Sequence, residues 1–214
     1  MGAKVSFVTP SADAVGKRRG PPGGPAGGAE RRLDIHVLVQ EDGRAETGRA
    51  WERCVWRDQR VLIAECPAPR LSARMEATLR EVAARIALDR GWLGLGTVVF
   101  SLDDESGLFR LIEAKLQGRS GKAALMEPLA AHALEVGIGA CAASGRPGAN
   151  LLVWGVTRGD ALRRAYQAIG DMPGLVVPER AFLLNRIASP AFCSGLTGAR
   201  LARISDWSDH RAAS

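Results

Sequence analysis

Residues 31–39, Arg-Arg-Leu-Asp-Ile-His-Val-Leu-Val, carry the clearest structural signal in the chain. Apolar residues at positions 33, 35, 37 and 39 alternate with Asp34 and His36, which is the period of a strand with one buried face. Asp42-Gly43 follows directly and is a hairpin-turn signal. The stretch therefore predicts a strand in an antiparallel sheet, with His36 exposed on the polar side.

Further elements lie on both sides of this strand. Short apolar runs predict strands at 5–8, 61–63, 97–102 and 108–113, the last two joined by a polar loop. Between them Ser72 is a candidate N-cap, and Gly91 is placed to end the helix that follows. The apolar stripe of that helix consists of Met75, Leu79, Val82 and Ile86.

The C-terminal half contains both helical and strand periodicity. Residues 123–143 predict a helix that contains His132, and residues 151–154 predict a strand. Thr157 and Asp160 have the spacing of a capping box, which opens a helix with one apolar face. That face comprises Leu162, Ala165, Tyr166 and Ile169. A strand at 175–177 and a helix at 178–189 complete the pattern, which predicts an α+β protein with an antiparallel sheet and packed helices.

Composition excludes several classes of protein. The chain has 214 residues, 46% of them hydrophobic and 24% charged, which excludes wholesale disorder. No apolar run approaches the roughly 18 residues of a membrane-spanning helix, and the first residues lack the order of a signal peptide. Four dispersed cysteines form no C-x-x-C motif, although Cys54 and Cys66 are either a redox pair or solitary buried thiols. We expect a cytoplasmic protein.

The net charge of +6 raises the question of nucleic-acid binding. Arginines are scattered through every segment and are not interleaved with stacking aromatic residues, so we expect no nucleic-acid partner. Residues 17–30 are rich in glycine and proline and have two interpretations, a linker and a phosphate loop. The linker is favoured because Pro21, Pro22 and Pro25 lack the N–H donors that a phosphate loop needs.

The order of several motifs resembles that of biotin carboxylases, the ATP-grasp subunits of biotin-dependent carboxylases. Residues 31–38 resemble the family's R-H-I-E-V-Q-V-L strand, 61–69 its K-V-I-E-E-A-P-S-P, and 91–100 its G-Y-V-G-A-G-T-V-E-F. Farther on, 151–158 resemble K-L-I-V-W-G-P-T-R, and 189–192 resemble H-P-A-F. The shared order extends over most of the chain and implies the C-terminal part of a biotin carboxylase fold.

The same resemblance implies missing parts. The family's N-terminal domain has a counterpart only in its last strand, within residues 1–16, and its lid would lie where the linker 17–30 stands. Part of the family's segment between Gln117 and Asn150 is also missing. We therefore divide the chain into a strand remnant at 1–16, the linker, a biotin-carboxylase-like domain at 31–205 and a tail at 206–214.

The resemblance also implies a metal site that this sequence has altered. The family holds Mg²⁺ with two glutamates and an asparagine on the strands that match 97–102 and 108–113. Here the first glutamate position is Val99, Glu113 stands at the second, and the asparagine position is Lys115 or Ala114. A valine cannot ligate Mg²⁺ and a lysine repels it. Glu113 is the one candidate metal ligand, and its alternative interpretation is a solvated strand residue.

Three basic residues are candidates for catalysis by position. Arg60 stands beside the position of the family's lysine, Arg32 occupies the position of its histidine, and Lys115 is one match for its arginine. Arginine and lysine are not interchangeable in bidentate recognition. We therefore expect no cofactor, whereas ATP and Mg²⁺ would be required if the chain were active.

Three hypotheses follow. The first is a non-catalytic accessory or regulatory protein whose partner is a carboxylase subunit or a second copy of itself. The second is an active ATP-dependent ligase with altered site residues. The third is a gene remnant, against which the regular caps and periodicities argue.

Overall fold

The computed structural model describes residues 6–8, 30–57, 60–118, 132–138, 149–173, 175 and 177–197. Nine strands in these residues form one sheet, and all their pairings are antiparallel. They are β1 (Ser6–Val8), β2 (Glu30–Val39), β3 (Ala45–Thr47), β4 (Trp51–Arg57), β5 (Arg60–Cys66), β6 (Gly94–Asp103), β7 (Phe109–Gly118), β8 (His132–Ile138) and β9 (Ala149–Gly155). The strand order is β1-β9-β8-β5-β4-β2-β6-β7, with β3 paired to β2. The predicted antiparallel α+β class is confirmed.

Four helices are described: α1 (Ala73–Asp89), α2 (Arg158–Gly170), α3 (Val177–Ala188) and the short α4 (Pro190–Cys193). The predicted caps are present. The Ser72 hydroxyl accepts from the backbone N–H of Met75 at 3.2 Å, and the Thr157 hydroxyl accepts from Asp160 at 3.1 Å. Each cap satisfies an N–H group that the helix itself leaves unpaired.

The helices lie on one face of the sheet. The cross-strand register passes from Leu33 through Glu52, Glu65 and Leu134 to Val153, so these side chains share that face. Two hydrophobic clusters form there. One joins α1 to β2 and β6, and the other joins α2 and α3 to β5, β8 and β9. We call this the helix face, and the opposite side the polar face.

Three sequence predictions in the C-terminal half are wrong. Within the predicted helix 123–143, residues 132–138 form β8, because β5 and β9 supply hydrogen-bonding partners on both sides. His132 therefore lies on a strand, and the rest of that prediction falls outside the described residues. Val177 begins α3 and does not end a strand. Tyr166 is 46% exposed, and Ala161 takes its place on the buried face of α2.

Strand β4 was not predicted at all. Its side chains that point into the core include Glu52 and Cys54. Because a glutamate occupies a buried position, the strand lacks the polar and apolar alternation by which a strand is predicted from sequence. The predicted linker at 17–30 lies outside the described residues except for Glu30, which begins β2, and the tail at 206–214 lies outside them entirely. None of the described helices is long and apolar enough to cross a membrane.

Candidate functional site

Strands β2, β6 and β7 bring the predicted site residues into two neighbouring rows on the polar face. In the first row Asp34 pairs with Val99, and Val99 pairs with Glu113. In the second row His36 pairs with Thr97, and Thr97 pairs with Lys115. Directly opposed residues in antiparallel strands point to the same side, so both rows project away from the helices.

The first row contains two carboxylates separated by a hydrocarbon side chain. Val99 is 3% exposed, whereas Glu113 is exposed. Asp34 forms an ion pair with Arg53, with Nε and Oδ2 2.9 Å apart. Its other oxygen, Oδ1, is buried and has no hydrogen-bond partner in the structure. Burial raises the pKa of Asp34, Arg53 opposes that rise, and the negative charge of Glu113 adds to it.

The second row contains a hydrogen-bonded chain with a cation beside it. The Thr97 hydroxyl lies 2.9 Å from Nδ1 of His36 and accepts a bond of 2.8 Å from Nε2 of Gln117. His36 is therefore partly buried, and the prediction that it is exposed is wrong. Burial lowers the pKa of His36. Lys115 is exposed beside this chain.

The other basic candidates lie elsewhere or are not described. The Arg32 guanidinium stacks over the ring of Trp56, 4.4 Å from its centroid. Burial and the neighbouring charge of Arg53 lower its pKa. Arg32 is paired with Ser101, two rows from Lys115 along the strand. Arg60 begins β5, but its side chain is outside the described part of the structure. Arg32 and Lys115 therefore share the polar face without forming one cluster.

The polar face does not fit the magnesium ions that the resemblance implies. In the described ranges, no group of three or more His, Cys, Asp or Glu residues is placed to hold a metal ion. Glu113 faces a valine across the strand pair, and the next residue on its side of β7 is Lys115. Magnesium requires several oxygen ligands in octahedral geometry. Asp34 is paired with Arg53, and Glu113 is an exposed carboxylate beside an ammonium group, so this row does not supply them.

The most heavily buried charges are on the helix face, and sequence reasoning missed them. Arg31 binds both oxygens of Glu52, at 3.1 Å and 2.6 Å, and also Asp104 at 3.0 Å. Glu52 additionally accepts a hydrogen bond from Thr197. One signal was available in the sequence. Arg31 is two residues before the inward-facing Leu33, and side chains two residues apart in a strand point to the same face.

A second ion pair lies beside the first. Arg158, the first residue of α2, binds both oxygens of Glu65 and donates to the carbonyl oxygens of Phe192 and Cys193 at 2.8 Å and 2.7 Å. Glu65 is directly opposite Glu52 in the register. Burial raises the pKa of both carboxyl groups, and the guanidinium groups oppose that rise. Each arginine thus neutralises one of two adjacent buried carboxylates.

Two cysteines, Cys54 and Cys66, lie in the described sheet. Cys54 and Cys66 are both free and buried, in agreement with the interpretation as solitary thiols. Burial raises the pKa of Cys66 to about 12 and raises that of Cys54 as well. Neither thiol is therefore a reactive thiolate at neutral pH. Cys141 lies outside the described residues.

Known proteins resemble this chain in sequence and in fold. The family model for the ATP-binding domain of the carbamoyl-phosphate synthase L chain matches residues 30–140, just over half of the chain. The chloroplastic biotin carboxylase of Arabidopsis thaliana is 30% identical over 83 residues, which are 39% of this chain and 15% of that protein. The chain thus spans a small part of the relative's length.

Solved structures share the fold at low sequence identity. A complete multifunctional pyruvate carboxylase from Rhizobium etli has a TM-score of 0.69 and 16% identity, with 81% of this chain and 24% of that chain covered. The biotin carboxylase complex with β,γ-ATP from Campylobacter jejuni has a TM-score of 0.66 and 18% identity, with 82% and 53% covered. A urea carboxylase from Kluyveromyces lactis has a TM-score of 0.65 and 16% identity, with 80% and 21% covered.

The described sheet and helices therefore have the architecture of part of a biotin carboxylase, as the motif order implied. The matched region contains strands β2 to β8 and helix α1, and with them both rows of the polar face. The chain belongs to the family of the carbamoyl-phosphate synthase L chain ATP-binding domain, as a biotin-carboxylase-like ATP-grasp protein.

Proposed function

We propose that this chain is a non-catalytic biotin-carboxylase-like protein that serves as an accessory or regulatory partner in a biotin-dependent acyl-CoA carboxylase system. Residues 31–205 form its functional domain, and its place of action is the cytoplasm. The partner is a carboxylase subunit or a second copy of the chain. No nucleic acid or membrane takes part.

The pairing of Val99 with Glu113 carries this proposal. Transfer of a phosphoryl group from ATP depends on metal ions and cationic side chains that neutralise the charge on that group. A buried valine opposite Glu113 leaves one carboxylate where the resemblance implies two, and Lys115 adds a positive charge two residues away. This site therefore lacks the ligands for MgATP chemistry, while the sheet that carried it is intact.

The role as a partner is supported by the relatives and by the scaffold that the chain retains. The solved relatives include a complete multifunctional pyruvate carboxylase and a urea amidolyase, and both are longer than this chain. This chain covers 24% and 14% of those two proteins. A domain that keeps the scaffold without the metal ligands is suited to binding another carboxylase component.

Nucleotide binding and turnover test the loss of catalysis. Titration calorimetry with ATP, with and without Mg²⁺, is expected to show no strengthening of binding by the metal. An assay for ATP hydrolysis is expected to show no increase when bicarbonate is added. The active-ligase hypothesis predicts bicarbonate-dependent hydrolysis that Glu113→Gln abolishes and that Glu105→Gln, a matched change in an exposed loop, leaves intact. That result would overturn the proposal.

Affinity purification from the native cell tests the partner. The tagged chain is expected to recover a biotin-containing carboxylase component, which is detected with labelled streptavidin. A chain that folds cooperatively but recovers neither such a component nor a second copy of itself would contradict the accessory role. A thermal melt followed by circular dichroism distinguishes this outcome from the remnant hypothesis, which predicts no cooperative transition.

A further inference from the structure

Strand β7 ends the described sheet with one side unpaired by any described residue. It runs for ten residues, Phe109–Gly118, and pairs with β6 along one edge. Sheet proteins commonly protect such an edge with a short strand, a proline, a β-bulge or an inward-facing charge. β7 is long, contains no proline, and has its charged residues on the polar face. Its register with β6 shifts at Ile112 and at Gln117, and between these shifts residues 113–116 pair regularly. This regular run is the part of the free edge that is suited to pairing with another strand.

The helix face of β7 is also apolar, and only part of it, Phe109 and Ala114, packs against the cluster under α1. Leu111 lies opposite Phe100 and Leu116 lies opposite Gly96, so both continue the apolar surface of the cluster under α1. Helix α1 packs on β2, β3 and β6. Leu111 and Leu116 are 43% and 41% exposed, and Leu108, just before β7, is 73% exposed. An apolar strip at a sheet edge indicates an interaction surface.

The charges on the polar face of β7 are complementary to themselves in one register. If two copies of β7 pair antiparallel about Ala114, Glu113 of each copy lies opposite Lys115 of the other. The same register brings Leu116 close to Leu111 and Ile112 of the second copy. A register centred on Glu113 or on Lys115 would instead place like charges directly opposite, which destabilises strand pairing.

We propose that two copies of this chain associate by antiparallel pairing of β7 with β7, with Ala114 on the two-fold axis and two Glu113–Lys115 ion pairs across it. The result is a continuous sheet through both copies, with the apolar strips side by side on the helix face. An isologous contact of this kind closes after two copies. This interface depends on the edge of β7 and not on the loss of the metal site, so either proposal can fail without the other.

Two local features are compatible with this pairing. Glu113 and Lys115 are both exposed, and no ion pair among the described residues includes either side chain. Nη1 of Arg90 donates to the carbonyl oxygen of Ala114 at 3.1 Å. A carbonyl oxygen has two lone pairs, so it can hold this bond together with one backbone hydrogen bond.

Sedimentation of the full chain over a range of concentrations tests the proposal by charge exchange. The wild-type chain is expected to form a dimer. Glu113→Lys and Lys115→Glu should each raise the dimer dissociation constant by about tenfold or more, because each turns two attractive pairs into repulsive ones. The double variant, which exchanges the two charges, should return the dissociation constant to within about threefold of wild type.

Two further variants complete the experiment. Exchange of Glu81 and Arg85, an exposed ion pair on α1, is the matched control and should leave the dissociation constant unchanged. Leu116→Lys places a charge in the strip and should yield a monomer with an unaltered circular dichroism spectrum. A wild-type chain that is monomeric at every concentration would overturn the proposal. A double charge exchange that dissociates as readily as the single variants would also overturn it.

Discussion

His36 links the polar face of the sheet to the stability of the folded chain. Its ring is bonded to Thr97 and partly buried, and burial lowers its pKa below 6.5. The folded chain therefore binds fewer protons than the unfolded chain as the pH falls below 6.5. The stability that comes from keeping His36 neutral is complete above that pH and is progressively lost below it.

The free energy of unfolding is accordingly expected to decrease between about pH 7.5 and pH 5.5, and His36→Gln should make the decrease shallower. Glutamine retains a polar partner for Thr97 but does not titrate. Asp34 and Glu135, whose pKa values burial raises, contribute with the opposite sign in both proteins. The difference between the two proteins therefore reports His36 together with its electrostatic interaction with Asp34. Urea denaturation at a series of pH values provides the measurement. Equal slopes for the two proteins would contradict the expectation.

The pairing of Val99 with Glu113 shows how far single residues could be placed from sequence. The two strands and the loop 103–107 were predicted, and a tight loop between antiparallel strands brings their nearest residues into register. Hydrogen bonds such as His36 to Thr97 were not predicted, because they join residues 61 positions apart. The site residues were thus identifiable as a set, but their contacts depend on a register that local patterns do not specify.

At the level of elements, the junction of β9 and α2 requires a glycine. A Cβ atom added to Gly155 would lie 2.5 Å from the backbone nitrogen of Ala161 and 2.7 Å from Cβ of Asp160. These atoms belong to the first turn of α2 and are fixed by the Thr157 cap. The strand end and the helix start therefore approach each other too closely for any side chain at position 155.

Gly155→Ala should lower the free energy of unfolding by about 2 kcal/mol, because the added methyl group displaces backbone atoms. The matched control is Gly159→Ala in the same turn, where the nearest neighbour of an added Cβ is the Thr157 hydroxyl at 3.9 Å. That variant should be neutral or more stable by about 0.5 kcal/mol, since alanine reduces the freedom of the unfolded chain. Chemical denaturation compares the two, and similar destabilisation of both would refute the close approach.

Elements with regular alternation were predicted, whereas those that depend on distant partners were not. Strand β2 shows an unbroken alternation of buried and half-buried residues, and its prediction is confirmed. Strand β4 buries Glu52, which looks exposed in sequence because its neutralising partner Arg31 comes from another strand. Strand β8 lies between alanine-rich segments, and only its pairing with β5 and β9 distinguishes it from a helix. In both β4 and β8, contacts with residues distant in sequence therefore determine the structure.

At the scale of the whole molecule, the charges on the helix face connect the two hydrophobic clusters. Glu52 and Glu65 lie side by side, with Arg31 beside the cluster of α1 and Arg158 at the start of α2. Thr197 and the carbonyl oxygens of Phe192 and Cys193 attach the C-terminal segment to the same network. The two halves of the sheet thus share one ionic junction.

Arg158→Met should reduce the free energy of unfolding by about 3 kcal/mol, because it leaves the buried carboxylate of Glu65 without its partner. Arg163→Met on the same helix removes an exposed pair with Asp160 and should cost about 0.5 kcal/mol or less. Urea unfolding followed by circular dichroism measures both changes. Equal costs for the two variants would show that the junction contributes no more than a surface ion pair.

The arrangement of the two clusters also has a consequence for folding during synthesis on the ribosome. The cluster under α1 draws all its members from residues 33–114, so it can close once β7 has left the exit tunnel. The other cluster contains residues from Cys54 to Phe192, so it cannot form until almost the whole described chain has been synthesised. Until β8 arrives, the nascent chain exposes the free edge and apolar side of β5. During that interval we expect β5 to be the binding site for a chaperone that recognises extended apolar segments.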